Sequence, residues 1–269
     1  MSGQFYGNDQ ASIHHTDFGD LARGAAERLL DELAEAGLDT GTVIDLGAGS
    51  GILARIVSDA GYDVVGVDIS PEMVALARVT APHATFQCGS LLDAELPPAV
   101  AVTAIGEALN YATDARVGIA EVERLAHRVH EALVPRGVFL FDVATPGRAG
   151  PDGSRQLFID RELWTLYMRS KESGHTLERA ITIFRATGAG GYRRTDEQHI
   201  LRLYDPDTVL GALARAASPR VCSTATAPHR RPPRPQRDGP SSWPRRPSRT
   251  SGGITRGHLG TLWPWRPPR

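Results

Sequence analysis

The residues best suited to binding a ligand lie in a glycine-rich loop between an apolar run and a helix-like segment. Residues 43–51 read Val-Ile-Asp-Leu-Gly-Ala-Gly-Ser-Gly. Glycines in such a loop permit positive φ angles and let a ligand approach the backbone closely. The loop departs from the G-x-G-x-x-G fingerprint of dinucleotide sites, because Ile52 stands where that fingerprint needs its third glycine. The pattern is instead D-x-G-x-G-x-G, beginning at Asp45.

Two aspartates narrow the class of ligand. Asp45 lies at the end of one strand-like run, and Asp68 ends the next run, 23 residues later. A carboxylate beside the loop repels a pyrophosphate and attracts a cation, and a carboxylate at the tip of the second strand can accept hydrogen bonds from both ribose hydroxyls. The predicted ligand has a ribose, no phosphates and a positive charge. S-adenosylmethionine meets all three requirements.

Composition excludes several classes of protein. The 269 residues are 41% hydrophobic, which is typical of a globular chain. Two cysteines exclude a disulfide scaffold and a multi-cysteine metal site. Lys171 is the single lysine, so the phosphate-binding lysine of a P-loop is absent. No apolar run approaches the roughly 20 residues of a membrane span, and the first residues lack a signal-peptide pattern, which favours a cytoplasmic location.

The charge is divided unevenly along the chain. Residues 1–217 carry a net charge of −11, whereas residues 218–269 carry +10 and hold 11 of the 19 prolines. This Arg/Pro-rich tail is interpreted in three ways: a disordered or proline-rich segment that binds a partner, an arm that grips a nucleic acid, or the product of out-of-frame translation. We favour the third, because the tail has no hydrophobic periodicity.

Apolar runs and helical patterns alternate over the first half of the chain. Strands are predicted at residues 42–46, 63–67, 84–87, 99–105 and 138–143, and helices at 20–36, 51–60, 70–79 and 114–133. The strands are apolar on both faces, as a buried parallel sheet requires. The pattern predicts an α/β fold with a doubly wound, mostly parallel, Rossmann-like sheet.

A second pattern follows the fifth strand. Residues 157–169, 176–186 and 193–204 are predicted to form an antiparallel meander inserted at 156–204, and residues 205–217 a last helix. We therefore expect one domain over residues 1–217. It comprises an N-terminal lid and helix (1–37), a cofactor-binding core (42–145) and the insertion.

The glycine loop, together with residues 64–73 (Val-Val-Gly-Val-Asp-Ile-Ser-Pro-Glu-Met), resembles the class I S-adenosylmethionine-dependent methyltransferases that act on small molecules. The resemblance covers roughly residues 6–217. It implies that the loop cradles the methionine part of the cofactor, that Asp68 holds the ribose and that Ile69 flanks the adenine. The predicted cofactor-binding residues are Asp45, Gly47, Ala48, Gly49, Gly51, Asp68, Ile69, Met73, Ser90, Leu91, Gly106 and Tyr6.

The sequence departs from the family pattern at two places. Ser90 stands where an acid commonly meets the adenine amino group, so either Ser90 accepts that hydrogen bond or Asp93 reaches it. The family also has a final pair of strands after the last helix. Residues 218–269 are not expected to supply them, which agrees with an out-of-frame end near Ala217.

The acceptor is expected beside residues 106–111, which follow the fourth strand and would face the glycine loop in the strand order 3-2-1-4-5. Glu107, Asn110 and Tyr111 could orient it; alternatively, Glu107 caps a helix and Tyr111 belongs to the core. Candidate general bases are Glu107, His15 and His199. His199 and Glu197 share a strand face and are interpreted as a polar contact rather than a metal pair, so no metal is predicted.

The leading hypothesis is methyl transfer from S-adenosylmethionine to a small organic acceptor by in-line displacement. One alternative is a regulatory protein that binds the cofactor without turnover. A second alternative, a nucleic-acid methyltransferase that uses the basic tail, is disfavoured because the −11 body would repel phosphates. No membrane association is expected, and no oligomeric state is predicted.

Overall fold

The computed structural model describes residues 6–188, 190–216 and 263–265, the last three by their backbone. The helices are α1 (Asn8–Asp17), α2 (Asp20–Ala36), α3 (Ile52–Asp59), α4 (Pro71–Thr80), α5 (Ile119–Ala132) and α6 (Pro206–Ala216). The strands are β1 (Thr42–Leu46), β2 (Asp63–Asp68), β3 (Thr85–Cys88), β4 (Ala99–Ala104), β5 (Leu133–Phe141), β6 (Ser154–Asp160), β7 (Trp164–Ser173), β8 (Thr176–Ala186), β9 (Tyr192–Arg202) and β10 (Trp263–Trp265).

The first sheet has the strand order β3-β2-β1-β4-β5-β10. Strands β1 to β5 are parallel, with Ile44 beside Val65 on one side and Val102 on the other. The predicted order 3-2-1-4-5 is confirmed. The order reverses between β1 and β4, and ligands bind parallel sheets beyond the strand ends at such a reversal.

Helices cover both faces of this sheet. On one side Leu29, Leu33 and Val57 belong to a buried cluster between the sheet and helices α2 to α4. On the other side Leu125 and Leu213 belong to a cluster with α5 and α6. Full burial of each such side chain contributes about 1.5–3 kcal/mol. The two layers hold the carboxyl ends of the central strands in place.

The second sheet is antiparallel, in the order β6-β7-β8-β9. The predicted strand at 157–169 is wrong as a single element, because a turn interrupts it. The Arg161 N–H donates to the Trp164 carbonyl at 2.9 Å, and β6 folds back on β7 through that turn. The insertion is therefore a four-stranded meander rather than a three-stranded one.

Helix α1 was not predicted from the sequence, because it lacks an amphipathic stripe. Tertiary contacts hold it instead. Ile13 packs in an apolar cluster with Leu166 and Ile183 of the antiparallel sheet. Asp9 accepts hydrogen bonds from Arg193, including one of 2.8 Å from Nε, and pairs with Arg185. None of the helices in the described ranges has the length and apolar character needed to cross a bilayer.

The sequence allows at most one weak strand at residues 220–225 and predicts that nothing later supplies the last strand of the sheet; this second prediction is wrong at three residues. Strand β10 pairs antiparallel with β5, placing Trp263 beside Phe141 and Pro264 beside Leu140. The reason is that β5 would otherwise leave an edge of unpaired backbone groups, and an edge strand tolerates proline. The rest of the predicted tail lies outside the described residues.

Candidate active site

Two joined cavities lie at the carboxyl ends of β1, β2 and β4. The larger contains about 730 Å³ of empty space, part of it open to solvent. The smaller contains about 500 Å³ and lies between the glycine loop and the residues that connect α1 to α2. Five residues line both: His14, Gly47, Gly49, Ile105 and Gly106. The cavities therefore form one continuous cleft at the reversal of strand order.

The glycine loop has a backbone that other residues adopt only with strain. Gly47, Gly49 and Gly51 have φ angles of 76°, 52° and 79°. A Cβ atom on Gly47 would lie 2.7 Å from the Cβ of Ala108, whereas one on Gly49 would meet nothing within 4 Å. The loop is thus packed tightly behind Gly47 and open toward the cleft at Gly49.

Asp68 joins the glycine loop to the start of α4. Its Oδ2 accepts the Gly49 N–H and its Oδ1 accepts the Ser70 N–H, both at 2.8 Å. Burial raises the pKa of this carboxyl, and the two backbone donors oppose that shift. Asp68 also lines the larger cavity. Because each carboxylate oxygen has more than one lone pair, both can still accept from a ligand.

Asp45 lies beneath the loop and lines the smaller cavity. Its side chain is buried and accepts a hydrogen bond of 2.7 Å from the Thr103 hydroxyl. Burial raises the pKa of Asp45 to about 6, and the charge on Asp68 adds to the shift. A cation bound nearby would favour the ionised form.

The wall of the larger cavity beyond β3 contains an acid that the sequence analysis missed. The Ser90 hydroxyl donates to Oδ2 of Asp114 at 2.6 Å, and both residues line the cavity. Asp93, the alternative adenine contact, instead pairs with the exposed Arg116. Arg116 and Ser90 also hold the pKa of Asp114 well below its ordinary value. No local motif marks Asp114, which lies 24 residues after Ser90.

Glu107 is a buried, fully paired carboxylate beside the cleft. Its Oε1 accepts from Nε of Arg148 at 2.6 Å and its Oε2 from Nη1 of Arg179 at 2.8 Å. Burial alone would raise the pKa of Glu107, but the two arginines outweigh it and hold the pKa below its ordinary value. The backbone N–H groups of Gly106 and Glu107 donate to Asp142 at 2.7 and 3.0 Å. Asp142 thereby holds a turn in which Glu107 has a φ of 63°.

Two tyrosines form one side of the cleft. The hydroxyl groups of Tyr6 and Tyr111 lie 3.1 Å apart, and Nη1 of Arg179 donates to the Tyr111 hydroxyl at 3.5 Å. Both tyrosines line the larger cavity. Burial raises the pKa of each hydroxyl, so both stay protonated at neutral pH.

Glu197 anchors the N-terminal segment to the antiparallel sheet. Its carboxylate accepts the backbone N–H groups of Tyr6 and Gly7 at 2.8 and 2.9 Å, and Nε2 of His199 lies 3.0 Å from Oε2. Within the described parts of the chain, no group of three or more His, Cys, Asp or Glu side chains is arranged to hold a metal ion. The pair fixes the segment that carries α1 over the cleft.

Part of the chain is similar to known methyltransferases. Residues 43–137 match the family model described as a methyltransferase domain. A protein of Geobacillus sp. (strain WCH70), provisionally named a methyltransferase, is 29% identical over 175 residues, or 61% of this chain and 68% of that protein. This part of the chain is therefore similar to a methyltransferase domain. The match starts in β1 and ends in β5, so it contains the glycine loop and Asp68.

Solved structures are similar to this chain in fold. An S-adenosylmethionine-dependent methyltransferase from Clostridium acetobutylicum aligns with a TM-score of 0.68, covering 78% of this chain and 87% of that one at 18% identity. An amino pentose methyltransferase from Micromonospora echinaspora, solved with S-adenosylmethionine, aligns with a TM-score of 0.62, covering 79% and 89% at 21% identity. The predicted Rossmann-like fold is confirmed.

The structure brings most of the predicted cofactor residues into one cleft. The larger cavity is lined by Tyr6, Gly47, Gly49, Asp68, Ile69, Met73, Ser90, Leu91 and Gly106, and the smaller also by Asp45 and Ala48. Gly51 lies behind the loop, where a Cβ would be 3.0 Å from the Cα of Ala77. The three candidate bases, Glu107, His15 and His199, line neither cavity.

His15 contacts the loop from outside the cleft, with Nδ1 3.0 Å from the Ser50 hydroxyl. Its neighbour His14 does line the cleft, and the sequence analysis did not choose it as a candidate base. Two adjacent histidines on a helix point in different directions, and the sequence alone does not show which one faces the ligand.

Proposed function

We propose that the cleft of this methyltransferase binds S-adenosylmethionine and presents it to a small organic acceptor. The carboxylate of Asp68 carries this proposal, because it lines the cavity at the end of β2 while both of its oxygens are held by backbone N–H groups. A carboxylate in that position suits the two hydroxyls of a ribose. Asp68 is thereby fixed in orientation before the ligand arrives.

The rest of the cleft fits the other parts of the same ligand. Ile69 and Leu91 offer apolar surface near Ser90 and Asp114, as an adenine needs. At the opposite end, Asp45 lies next to the loop in the smaller cavity, where it suits a cationic group. Two carboxylates near the loop also disfavour a ligand with phosphates. The donor set therefore fits S-adenosylmethionine better than a dinucleotide.

When bound, S-adenosylmethionine would supply an activated methyl group on a positively charged sulfur, and S-adenosylhomocysteine would be the co-product. The residues of this chain bind, align and shield the reactants. Alignment of two reactants can supply about 7–11 kcal/mol of a barrier. Tyr6 helps to close the cleft, since its carbonyl accepts the Ser70 hydroxyl at 3.2 Å and its N–H donates to Glu197.

Isothermal titration of the full chain with S-adenosylhomocysteine and S-adenosylmethionine tests the cofactor. Asp68→Ala is expected to weaken both by about 30-fold or more, since hydrogen bonds to a charged group contribute about 1.5–3 kcal/mol each. Asp63→Asn, at the exposed start of the same strand, is the matched control and should bind like the wild type. Retention of NAD by a protein indifferent to both adenosyl ligands would contradict the proposal.

We further propose a small-molecule acceptor, in line with the amino pentose and sugar methyltransferases among the structural relatives. Labelled methyl transfer from S-adenosylmethionine to a pool of metabolites, with S-adenosylhomocysteine as co-product, tests it. The alternative, a cofactor-binding protein without turnover, is favoured by one observation: none of the three predicted bases lines the cleft. Binding without any S-adenosylhomocysteine formed would support that alternative.

A further inference from the structure

One polar side chain lies where the two cavities meet. Of the five residues that line both, three are glycines and one is Ile105. None of these four has a side chain that can donate or accept a hydrogen bond. His14 is the fifth, and it can do both. A ligand with its nucleoside in one cavity and its amino acid in the other places its central sulfur beside these residues.

The ring of His14 is held by packing against two aromatic side chains. Nδ1 is buried and has no hydrogen-bond partner among the described residues. The ring contacts Tyr6 edge-on at a centroid distance of 5.4 Å and stacks on Phe18 at 6.0 Å. Helix α1, which carries His14, is fixed by Asp9 to Arg193. The imidazole is therefore oriented by these ring contacts and by the anchoring of α1.

His14 is uncharged at neutral pH. Burial lowers its pKa to about 4, and the neighbouring His15 and His199 add to this shift. A neutral imidazole has one nitrogen with a free lone pair. It does not repel a sulfonium, whereas an imidazolium at the same place would. A histidine with so low a pKa is also a weak base, so it accepts a hydrogen bond more readily than a proton.

Glu107, Tyr6 and Tyr111, which lie on the acceptor side of the cleft, do not supply a free base. The charge of Glu107 is neutralised by Arg148 and Arg179, which hold both of its oxygens. Tyr6 and Tyr111 keep their protons, since burial raises the pKa of each. An acceptor that needs no base in the transfer step fits these surroundings. A neutral amine is such an acceptor, because it keeps its protons and leaves as a methylammonium ion.

We propose that His14 accepts a hydrogen bond from the reacting N–H of an amine acceptor and so directs the nitrogen lone pair toward the methyl group. This inference rests on the proposed binding of S-adenosylmethionine. It assigns to His14 the contact with the acceptor. His15, one residue later, is left with the glycine loop through Ser50.

Sinefungin provides a probe that needs no knowledge of the acceptor. This analogue of S-adenosylmethionine carries an amine on the carbon that replaces sulfur, so its N–H groups lie where the acceptor approaches. Titration calorimetry on the full chain compares sinefungin with S-adenosylhomocysteine, which lacks that amine. The wild type is expected to bind sinefungin about tenfold more tightly, the effect of one hydrogen bond between a charged and a neutral group.

His14→Phe keeps a ring against Tyr6 and Phe18 but removes the acceptor nitrogen. It should lower the sinefungin preference by about tenfold and leave S-adenosylhomocysteine binding within about twofold of wild type. His14→Gln, which keeps an acceptor atom, should retain part of the preference and covers the case in which the Phe variant does not fold. A preference unchanged in both variants, or absent from the wild type, overturns the role of His14. Failure of the wild type to bind either adenosyl ligand overturns the proposed function itself.

Discussion

The two halves of the cleft are built in different ways. On the side of the parallel sheet, the loop is held by hydrogen bonds from backbone groups. Gly47 and Ala48 donate their N–H groups to the Val67 carbonyl at 2.7 and 3.0 Å, and the Gly49 N–H donates to the Asp68 carboxylate. On the side of the antiparallel sheet, side chains from distant segments meet, as Glu107 does with Arg179. The first half depends on local conformation and the second on buried charge pairing.

This difference predicts how each half responds to substitution. A change in the loop alters a backbone shape that ligand binding needs. Removal of one buried charge leaves the opposite charge of the pair buried and unpaired. This lowers the free energy of unfolding whether or not the ligand is bound. Loss of binding should therefore accompany loop variants, and loss of stability should accompany variants of the charged cluster.

The largest effect is expected for Glu107→Ala. Glu107 is 6% exposed and neutralises two arginines, of which Arg179 is itself largely buried. Removing one partner of a buried ion pair costs about 3–5 kcal/mol, because the remaining charge is left uncompensated. Urea denaturation followed by circular dichroism measures the free energy of unfolding.

The exposed pair of Glu123 and Arg215 is the matched control for Glu107. Glu123→Ala should change the free energy of unfolding far less than Glu107→Ala, because water screens an exposed ion pair. The double variant Glu107→Ala with Arg179→Met should recover part of the loss, because it also removes one uncompensated charge. If Glu107→Ala and Glu123→Ala were equally stable, the ion pairs of Glu107 with Arg148 and Arg179 would not stabilise the antiparallel-sheet side of the cleft.

Sequence patterns predicted the loop half well and the charged half poorly. The bounds of β1 and α2 agree residue for residue with the prediction, since apolar runs and the glycine after α2 are local signals. Helix α5 was predicted to begin at residue 114, five residues too early, because Asp114 is bound by Ser90 and Arg116 and the helix begins only at Ile119.

The roles of Glu107 and His14 could not be derived from the sequence for the same reason. The two arginines that pair with Glu107 lie 41 and 72 residues later in the chain, in segments that only the fold brings together. The choice between His14 and His15 depends on how α1 lies on the antiparallel sheet. That packing comes from Ile13 and from Asp9, neither of which belongs to a recognisable helix stripe.

The loop half is tested by two alanine substitutions that differ in their surroundings. Gly47→Ala combines a positive φ with a contact of 2.7 Å to Ala108 and should cost about 2–4 kcal/mol of stability. Gly49→Ala has the positive φ alone and should cost about 1 kcal/mol. Its methyl group would nevertheless enter the cleft, so it should weaken S-adenosylhomocysteine binding at least tenfold.

Thermal unfolding and titration calorimetry on both variants separate the two effects. Gly24→Ala, in the exposed middle of α2 with nothing near its Cβ position, is the control and should not lower stability. If Gly49→Ala bound the ligand normally, the loop would not face it, and the contrast between the two halves of the cleft would fail.

The smallest expected effect is a change in the pH dependence of stability, caused by the buried carboxyl of Asp45 in the loop half of the cleft. Its pKa is 3.8 when free and about 6 in the folded chain, because burial disfavours the carboxylate. The folded state therefore takes up the proton first as the pH falls. The Asp45 carboxyl therefore makes its full contribution to the free energy of unfolding below pH 3.8, and this contribution is lost as the pH rises through about 6. Asp45→Asn removes the titrating group. The free energy of unfolding of this variant minus that of the wild type should therefore be about 1 kcal/mol higher at about pH 8 than at about pH 5.5.

Urea denaturation at the two pH values measures this difference. Asp114→Asn is the control: Arg116 and Ser90 hold the pKa of Asp114 well below its ordinary value, so it stays charged over the whole range and its difference from wild type should be constant. A constant difference for Asp45→Asn as well would mean that the Asp45 carboxylate is solvated. The cation preference that we assign to Asp45 would then lose its basis.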